Sequence, residues 1–155
     1  MRLLICDTRE KKNQHVLDYL KANDVPFVVR KLDYGDYQDH ERKHICIDRK
    51  QNIAELAKNV TRERDRFVRE IERAKADSSQ LVILVEQNKY KDRDNWILVR
   101  DISDLMLWSN EHTKIRGEKV FRVLSELKYK YNLSVVFCDK RTTARKILQI
   151  IYGEF

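Results

Sequence analysis

The sequence predicts an α/β fold: a mixed central β-sheet with helices on both faces. Three observations carry this expectation. The run "QLVILVEQ", 80–87, has strand length and no polar face, as a central strand covered on both sides requires. Strand-like runs alternate with helical periodicities along the chain. Between 34 and 50, two strand-like segments flank a short polar stretch and read as an antiparallel hairpin, which makes the sheet mixed.

The elements follow in order. "RLLICD", 2–7, is a short buried strand closed by an acid. In "KKNQHVLDYLKAND", 11–24, Val16, Leu17 and Leu20 fall at helical spacing, and Asn23-Asp24 before Pro26 end the helix. "FVVRKL", 27–32, is a second strand. Tyr34, Gly35 and Asp36 start a third, Ile45–Lys50 form a fourth, and His40–His44 loop between them. If the loop centres near Arg42, facing residues have numbers that sum to about 84, which sets Asp36 opposite Asp48. The stretch 52–77 carries an apolar helical stripe of Ile53, Leu56, Val60, Phe67, Ile71 and Ala74, interrupted near Thr61. Beyond the strand at 80–87, "KYKDRDNWILVR" reads as a loop with a short strand, and "ISDLMLWSNEH" and "GEKVFRVLSELKYKYN" as helices. "LSVVFCDK" is a last strand and "TTARKILQIIYG" a closing helix. No linker, repeat or composition break divides the chain, so one domain over 1–155 is expected.

Composition narrows the function. Apolar residues make up 42% of 155, enough for a packed core and against disorder. Lys and Arg number 32 against 25 acids, a formal +7 that favours a polyanionic partner, most simply nucleic acid. Cys6, Cys46 and Cys138 are odd in number and far apart, which suggests neither a zinc site nor a disulfide framework but buried thiols in a reducing compartment. The only glycines are Gly35, Gly117 and Gly153, too scattered for a phosphate-binding P-loop, a dinucleotide turn or a nucleophile elbow. The N-terminus turns acidic by Asp7 and no apolar run reaches membrane length, so a cytoplasmic protein is expected.

The chemistry concentrates where "ICI" gives way to Asp48-Arg49-Lys50. Residues i and i+2 of a strand share a face, so Asp48 and Lys50 project together and Arg49 points away. Asp36 reaches the same place from the neighbouring strand, and Asp7 joins if the first strand lies alongside. Unpaired carboxylates so gathered repel one another. A divalent cation, Mg²⁺ or Mn²⁺, relieves the repulsion and needs such hard oxygen ligands. Beside it, Lys50 would orient a water or stabilise developing charge. An ordinary charged surface hairpin is the alternative reading of these residues.

The acid, eleven-residue gap and acid-x-Lys resemble the PD-(D/E)xK nuclease signature. "DTRE" after the first strand, "YGDY" opening the hairpin, "IDRK" closing it, and "RFVREIERA" followed by "LVILVE" together resemble the nuclease domain of the XPF family of structure-specific DNA endonucleases. The resemblance implies a restriction-endonuclease-like fold, with Asp7, Asp36 and Asp48 as metal ligands and Asp36, Asp48, Arg49 and Lys50 as catalytic residues. It implies Mg²⁺-dependent cutting of branched or flapped DNA. An inactive DNA-binding or scaffold module of the same fold is the alternative. Two departures stand out. The family glutamate is Asp48 here, and the acid expected after the lysine falls at Ala54, with Glu55 one residue later. Glu41-Arg42-Lys43 spells the family tripeptide but lies in the loop without an apolar flank.

Glu10 is either a metal-side assistant or a charge that begins the first helix, and Glu70 either faces the site or pairs with Arg66 or Arg73. Arg62, Arg66 and Arg69 are candidate phosphate contacts and Tyr34 a candidate base-stacking ring. Trp96 and Trp108 are expected in the core or an interface. The resemblance also implies a homodimer through the C-terminal strand and helix, 133–138 and 144–152. The family's second, helix-hairpin-helix DNA-binding domain has no counterpart in this sequence.

Overall fold

A computed structural model describes residues 1–153; Glu154 and Phe155, the end of the predicted domain, lie outside the described residues. The strands are β1 (Leu4–Cys6), β2 (Phe27–Val29), β3 (Tyr37–Asp39), β4 (Ile45–Lys50), β5 (Gln80–Val85), β6 (Lys89–Asp92), β7 (Asn95–Leu98) and β8 (Ser134–Phe137). The helices are α1 (Gln14–Ala22), α2 (Ile53–Thr61), α3 (Arg64–Ala76), α4 (Gly117–Tyr131) and α5 (Thr143–Tyr152). Six strands form the main sheet in the order β2-β1-β3-β4-β5-β8, and β6 and β7 form a separate ribbon. Only β3 runs against its neighbours, so the sheet is mixed as expected.

Side-chain alternation on the strands builds two cores. Leu4, Cys6, Tyr37, Ile47, Val82 and Leu84 pack with Val16 and Leu20 of α1 and Ile147 and Ile151 of α5. Ile5, Cys46, Ile83 and Val85 pack on the other face with apolar residues of α2, α3 and α4. The apolar run of β5 is thus buried on both sides. All three cysteines are buried and free.

Tyr37 pairs with Ile47, the register that sets Asp36 against Asp48. The third strand starts later than expected, at Tyr37, because Gly35 turns the chain at φ +69 immediately before it. That turn admits only glycine: a Cβ there would lie 2.3 Å from Cys46 Sγ. The helical stretch breaks where the sequence placed the interruption, and the Thr61 hydroxyl donates back to the Ala57 carbonyl (2.7 Å) at the break. Two expectations fail. "KYKDRDNWILVR" forms a two-stranded ribbon rather than a loop with one strand. "ISDLMLWSNEH" forms a single 3-10 turn, Ile102–Leu105, instead of a helix. Beyond it the backbone is drawn elsewhere: the Gly117 N–H donates to the Trp108 carbonyl (2.7 Å), and Ser109 bridges Arg116.

Candidate active site

Strands β1, β4 and β5 point the same way, so Asp7, Lys50 and Glu86 all emerge at one edge of the sheet. A cleft of about 580 Å³ opens there, lined by Asp7, Arg9, Asp36, Asp48, Lys50 and Glu70 among others. The alternation of β4 divides its three charges: Asp48 and Lys50 face α3, and Arg49 faces α1.

On the cleft side, Asp36, Asp48 and Glu70 crowd together. The Asp36 Oδ2 accepts the Arg49 N–H (2.8 Å), and a Glu70 oxygen accepts the Gly35 N–H (3.3 Å). Asp48 is 5% exposed, with Lys50 Nζ 3.1 Å from its Oδ2. Burial opposes the charge on Asp48, but Lys50, together with hydrogen bonds from Glu70 and Asp36, outweighs it and holds the carboxyl below its usual range. Lys50 gains in turn: burial works against its proton, and the charges of Asp48 and Glu70 overcome it, so the ammonium persists. The other two acids bear the cost. Burial, then the charges of Asp48 and Glu10, push Asp36 well up. Burial and then Asp48 push Glu70 up to about 8. Glu70 therefore faces the site rather than pairing with an arginine.

Arg49 is enclosed on the opposite side. Its Nε donates to Glu10 Oε2 (2.6 Å), Nη2 to Glu10 Oε1 (3.0 Å) and to the Lys11 carbonyl (2.6 Å), and Nη1 to Glu86 Oε1. Glu10 also accepts the Tyr37 hydroxyl (2.7 Å), so it anchors Arg49 and does not cap α1, which starts at Gln14. Glu86 completes the set through His15 Nε2 and Thr143 Oγ1, both at 2.5 Å from Oε2. No role for Glu86 is legible in the motifs of the sequence. Its signal was an acid ending a doubly buried strand that runs parallel to the motif strand.

The remaining candidates divide. Asp7 lies at the cleft but is engaged: Oδ1 accepts the Leu32 N–H (2.7 Å) and Oδ2 the Arg9 Nε (2.9 Å). Burial is outweighed by these bonds, and its carboxyl stays below the usual range. Arg9, unremarked in the sequence, is 63% exposed at the rim. Of the three candidate arginines only Arg66 lines the cleft, joined by Arg73 at the same helical spacing. Arg62 reaches the Thr113 carbonyl (2.7 Å) and Arg69 lines a groove beside α4. Tyr34 corrects the stacking expectation: it is 6% exposed and its hydroxyl donates to Asp77. The shifted Glu55 accepts the Gln51 N–H (2.9 Å) at the start of α2. The decoy Glu41-Arg42-Lys43 is exposed loop, its first two N–H groups taken by Asp39.

Among the described residues, no three acidic, histidine or cysteine side chains stand in a finished metal-binding group. The cluster nevertheless fits a cation. Asp48 Oδ2 is buried with the Lys50 ammonium 3.1 Å away as its charged neighbour but in no well-directed hydrogen bond, and the acids beside it hold protons that a cation would replace.

A model of the ERCC4 domain matches residues 6–150. Among solved structures, XPF from Aeropyrum pernix is similar, with a TM-score of 0.66 and 18% identity over 94% of this chain and 61% of that one. The structure of XPF from Aeropyrum pernix in complex with DNA matches with a TM-score of 0.66 and 18% identity, over 97% and 63%. The chain thus spans 61–63% of the length of these structures, and at that identity the likeness is one of fold. No curated protein matches the sequence.

Proposed function

Because the chain belongs to the ERCC4 domain family, we propose that it is a divalent-metal-dependent endonuclease that hydrolyses phosphodiester bonds in branched or flapped DNA. The observation that carries this reading is the crowding of Asp36, Asp48 and Glu70 around Lys50 in one open cleft. Asp36 and Asp48 would hold a Mg²⁺ or Mn²⁺ ion. Bound there, the cation supplies a water of lowered pKa and offsets charge on the phosphodiester.

The protein's own groups do the rest. Lys50 stays an ammonium, so it donates to a phosphoryl oxygen and stabilises charge as it develops; it is not the proton acceptor. The Arg49 N–H fixes the Asp36 carboxylate, while its guanidinium ties the hairpin to Glu10 and Glu86. Arg9 and Arg66 meet flanking phosphates at the rim. Arg9, once drawn to a phosphate, releases Asp7 to act as a further ligand.

Self-association would use β8, an edge strand of the sheet, with the outer side of α5, where Leu148 and Ile150 are half-buried. Sedimentation of wild type against Ile150→Glu tests it.

The function itself is tested on flap, fork, Holliday-junction and linear DNA with Mg²⁺ or Mn²⁺. Wild type should cut branched substrates, and Asp36→Asn with Asp48→Asn should bind DNA without cutting. Cutting retained by that double variant would end the reading. The second reading, an inactive DNA-binding module, is favoured by the engaged state of Asp7. It predicts binding without turnover in either metal.

A further inference from the structure

We propose that the β6–β7 ribbon is a separate DNA-contact site: an unpaired base stacks on Trp96 while Lys89 and Lys91 meet the adjoining phosphates. The inference rests on the nuclease reading for its choice of ligand.

Register decides which side chains share a face. Lys91 pairs with Trp96 and Lys89 with Leu98, so these four stand on one side of the ribbon. Tyr90 and Ile97 stand on the other and pack into the core, with the Tyr90 hydroxyl donating to the Asp104 carbonyl (2.6 Å). The outer face is not core: Trp96 is 60% exposed and Leu98 49%. Of the two tryptophans expected in the core or an interface, Trp108 is buried in the core, while Trp96 lies outside it and nothing described covers it but lysine.

Both ammonium groups lie against the indole, Lys89 Nζ at 4.9 Å and Lys91 Nζ at 5.1 Å from the ring centroid. At an exposed position a cation holds an aromatic ring weakly. A nucleobase has a π-face of its own and gains more by stacking there. The displaced ammonium then finds a phosphate on the same strand, an exchange that keeps both groups satisfied. Arg93 at the ribbon's turn lies between Asp92 and Asp94, and Arg100 beyond β7 precedes Asp101, so the positive charge of this face comes from Lys89 and Lys91. The face thus sets one aromatic ring between two ammonium groups, with Leu98 beside them, which is complementary to a single strand. A base inside a duplex is already stacked above and below, so a lone protein ring selects an unpaired one.

The ribbon is also tied to the candidate active site. Lys89 lies three residues past Glu86, which holds Arg49. Between them, the Gln87 side chain accepts the Ile53 N–H (2.9 Å) and donates to the Lys89 carbonyl (2.9 Å), fastening the ribbon's root to the segment just after Lys50. A strand that lies on Trp96 is therefore delivered from the same sheet edge as the cleft.

The test is tryptophan emission and affinity of the whole chain in EDTA, titrated with oligothymidylate and with a blunt duplex. Oligothymidylate should quench the emission of wild type and leave that of Trp96→Phe unchanged. Trp96→Ala should weaken oligothymidylate binding about tenfold and duplex binding no more than about twofold. Lys89→Ala with Lys91→Ala should reduce the salt slope of oligothymidylate binding by about 1.4. Unchanged emission at saturation, or equal loss for both DNAs, overturns the site. So does a Trp96→Ala variant that only turns a dimer into a monomer, since the occupant would then be a second copy. Cleavage of flapped DNA by wild type is scored separately. If wild type cuts but Trp96→Ala keeps its single-strand affinity, the ribbon site falls and the nuclease reading stands. If wild type never cuts but binds oligothymidylate through Trp96, the nuclease reading falls and the ribbon site stands.

Discussion

Replacing Glu70 with Gln should stabilise the metal-free protein near pH 8 and leave it nearly unchanged near pH 5. The Glu70 carboxyl titrates near 4.5 when free and is pushed up to about 8 in the fold, by burial first and the Asp48 charge second. A folded-state pKa above the unfolded one means that the native state keeps a proton that the unfolded chain releases. The stability Glu70 contributes is whole below the unfolded value and is lost as pH rises towards about 8. At ~1.4 kcal/mol per pH step, the interval sets a ceiling of about 5 kcal/mol. Asp36 takes up a proton in the same cluster and Lys50 softens the repulsion, so about 2 kcal/mol is the expected loss, or roughly 4–8 °C for a domain of this size. Gln keeps an acceptor for the Gly35 N–H but cannot ionise. Thermal or urea unfolding at several pH values in EDTA, wild type against Glu70→Gln, reads the difference and cancels the histidines common to both. A variant with the same pH slope as wild type would refute the reasoning. Mn²⁺ added near pH 8 should restore much of what wild type loses, because the cation takes the place of the missing protons.

Three further outcomes follow from other parts of the fold. Gly35→Ala forces a side chain into the left-handed region with its Cβ 2.3 Å from Cys46 Sγ, and should cost at least ~2 kcal/mol in urea unfolding. A loss below about 0.5 kcal/mol would show that the turn relaxes freely. Glu86→Gln leaves the buried Arg49 guanidinium with Glu10 as its one charged partner, so a loss of about 3 kcal/mol is expected, checked by the same assay. Tyr152→Phe removes a hydroxyl that donates to Asp39. Burial alone would raise the Asp39 carboxyl, but bonds from Tyr152 and the Arg42, Glu41 and Leu3 N–H groups hold it down at about 2. A depressed carboxylate stabilises above its unfolded pKa and loses that contribution as pH falls, so the variant should unfold at a higher pH on acid titration followed by circular dichroism, with about 1 kcal/mol lost near neutrality.

The hairpin and its register were legible because they depend on local patterns: "ICI" fixes a buried strand, a polar stretch fixes the loop, and Asp36 then has to meet Asp48. The doubly buried β5 was legible for the same reason. The failures are non-local. "ISDLMLWSNEH" has helical spacing, but its Trp108 carbonyl is taken by the Gly117 N–H and its Asp104 carbonyl by the Tyr90 hydroxyl, contacts that no window of the sequence reveals. Glu70 and Arg66 could be paired on paper as helix neighbours, whereas Glu70 is turned to Asp48 because Phe67 and Ile71 bury that side of α3. The role of Glu86 depended on which strand would lie next to β4.

These non-local contacts also explain how a buried strand carries Asp-Arg-Lys at all. On one face Lys50 answers Asp48, and the surplus acids Asp36 and Glu70 are left holding protons. On the other, Glu10 and Glu86 together enclose Arg49, more negative charge than one guanidinium needs. The sheet backbone separates the two sets, so they serve different ends. The closed set binds α1, β4 and β5 together, with the Arg49 and Glu86 side chains almost wholly buried. The open set keeps its imbalance next to water, where a cation can enter. Exchanging Arg49 and Lys50 would preserve composition and net charge yet reverse this division. The planar guanidinium would no longer sit between Glu10 and Glu86, and a compact ammonium cannot satisfy both. Such an Arg49→Lys, Lys50→Arg protein should therefore lose stability by about 3 kcal/mol on urea unfolding, and one as stable as wild type would show that the two faces are not distinct.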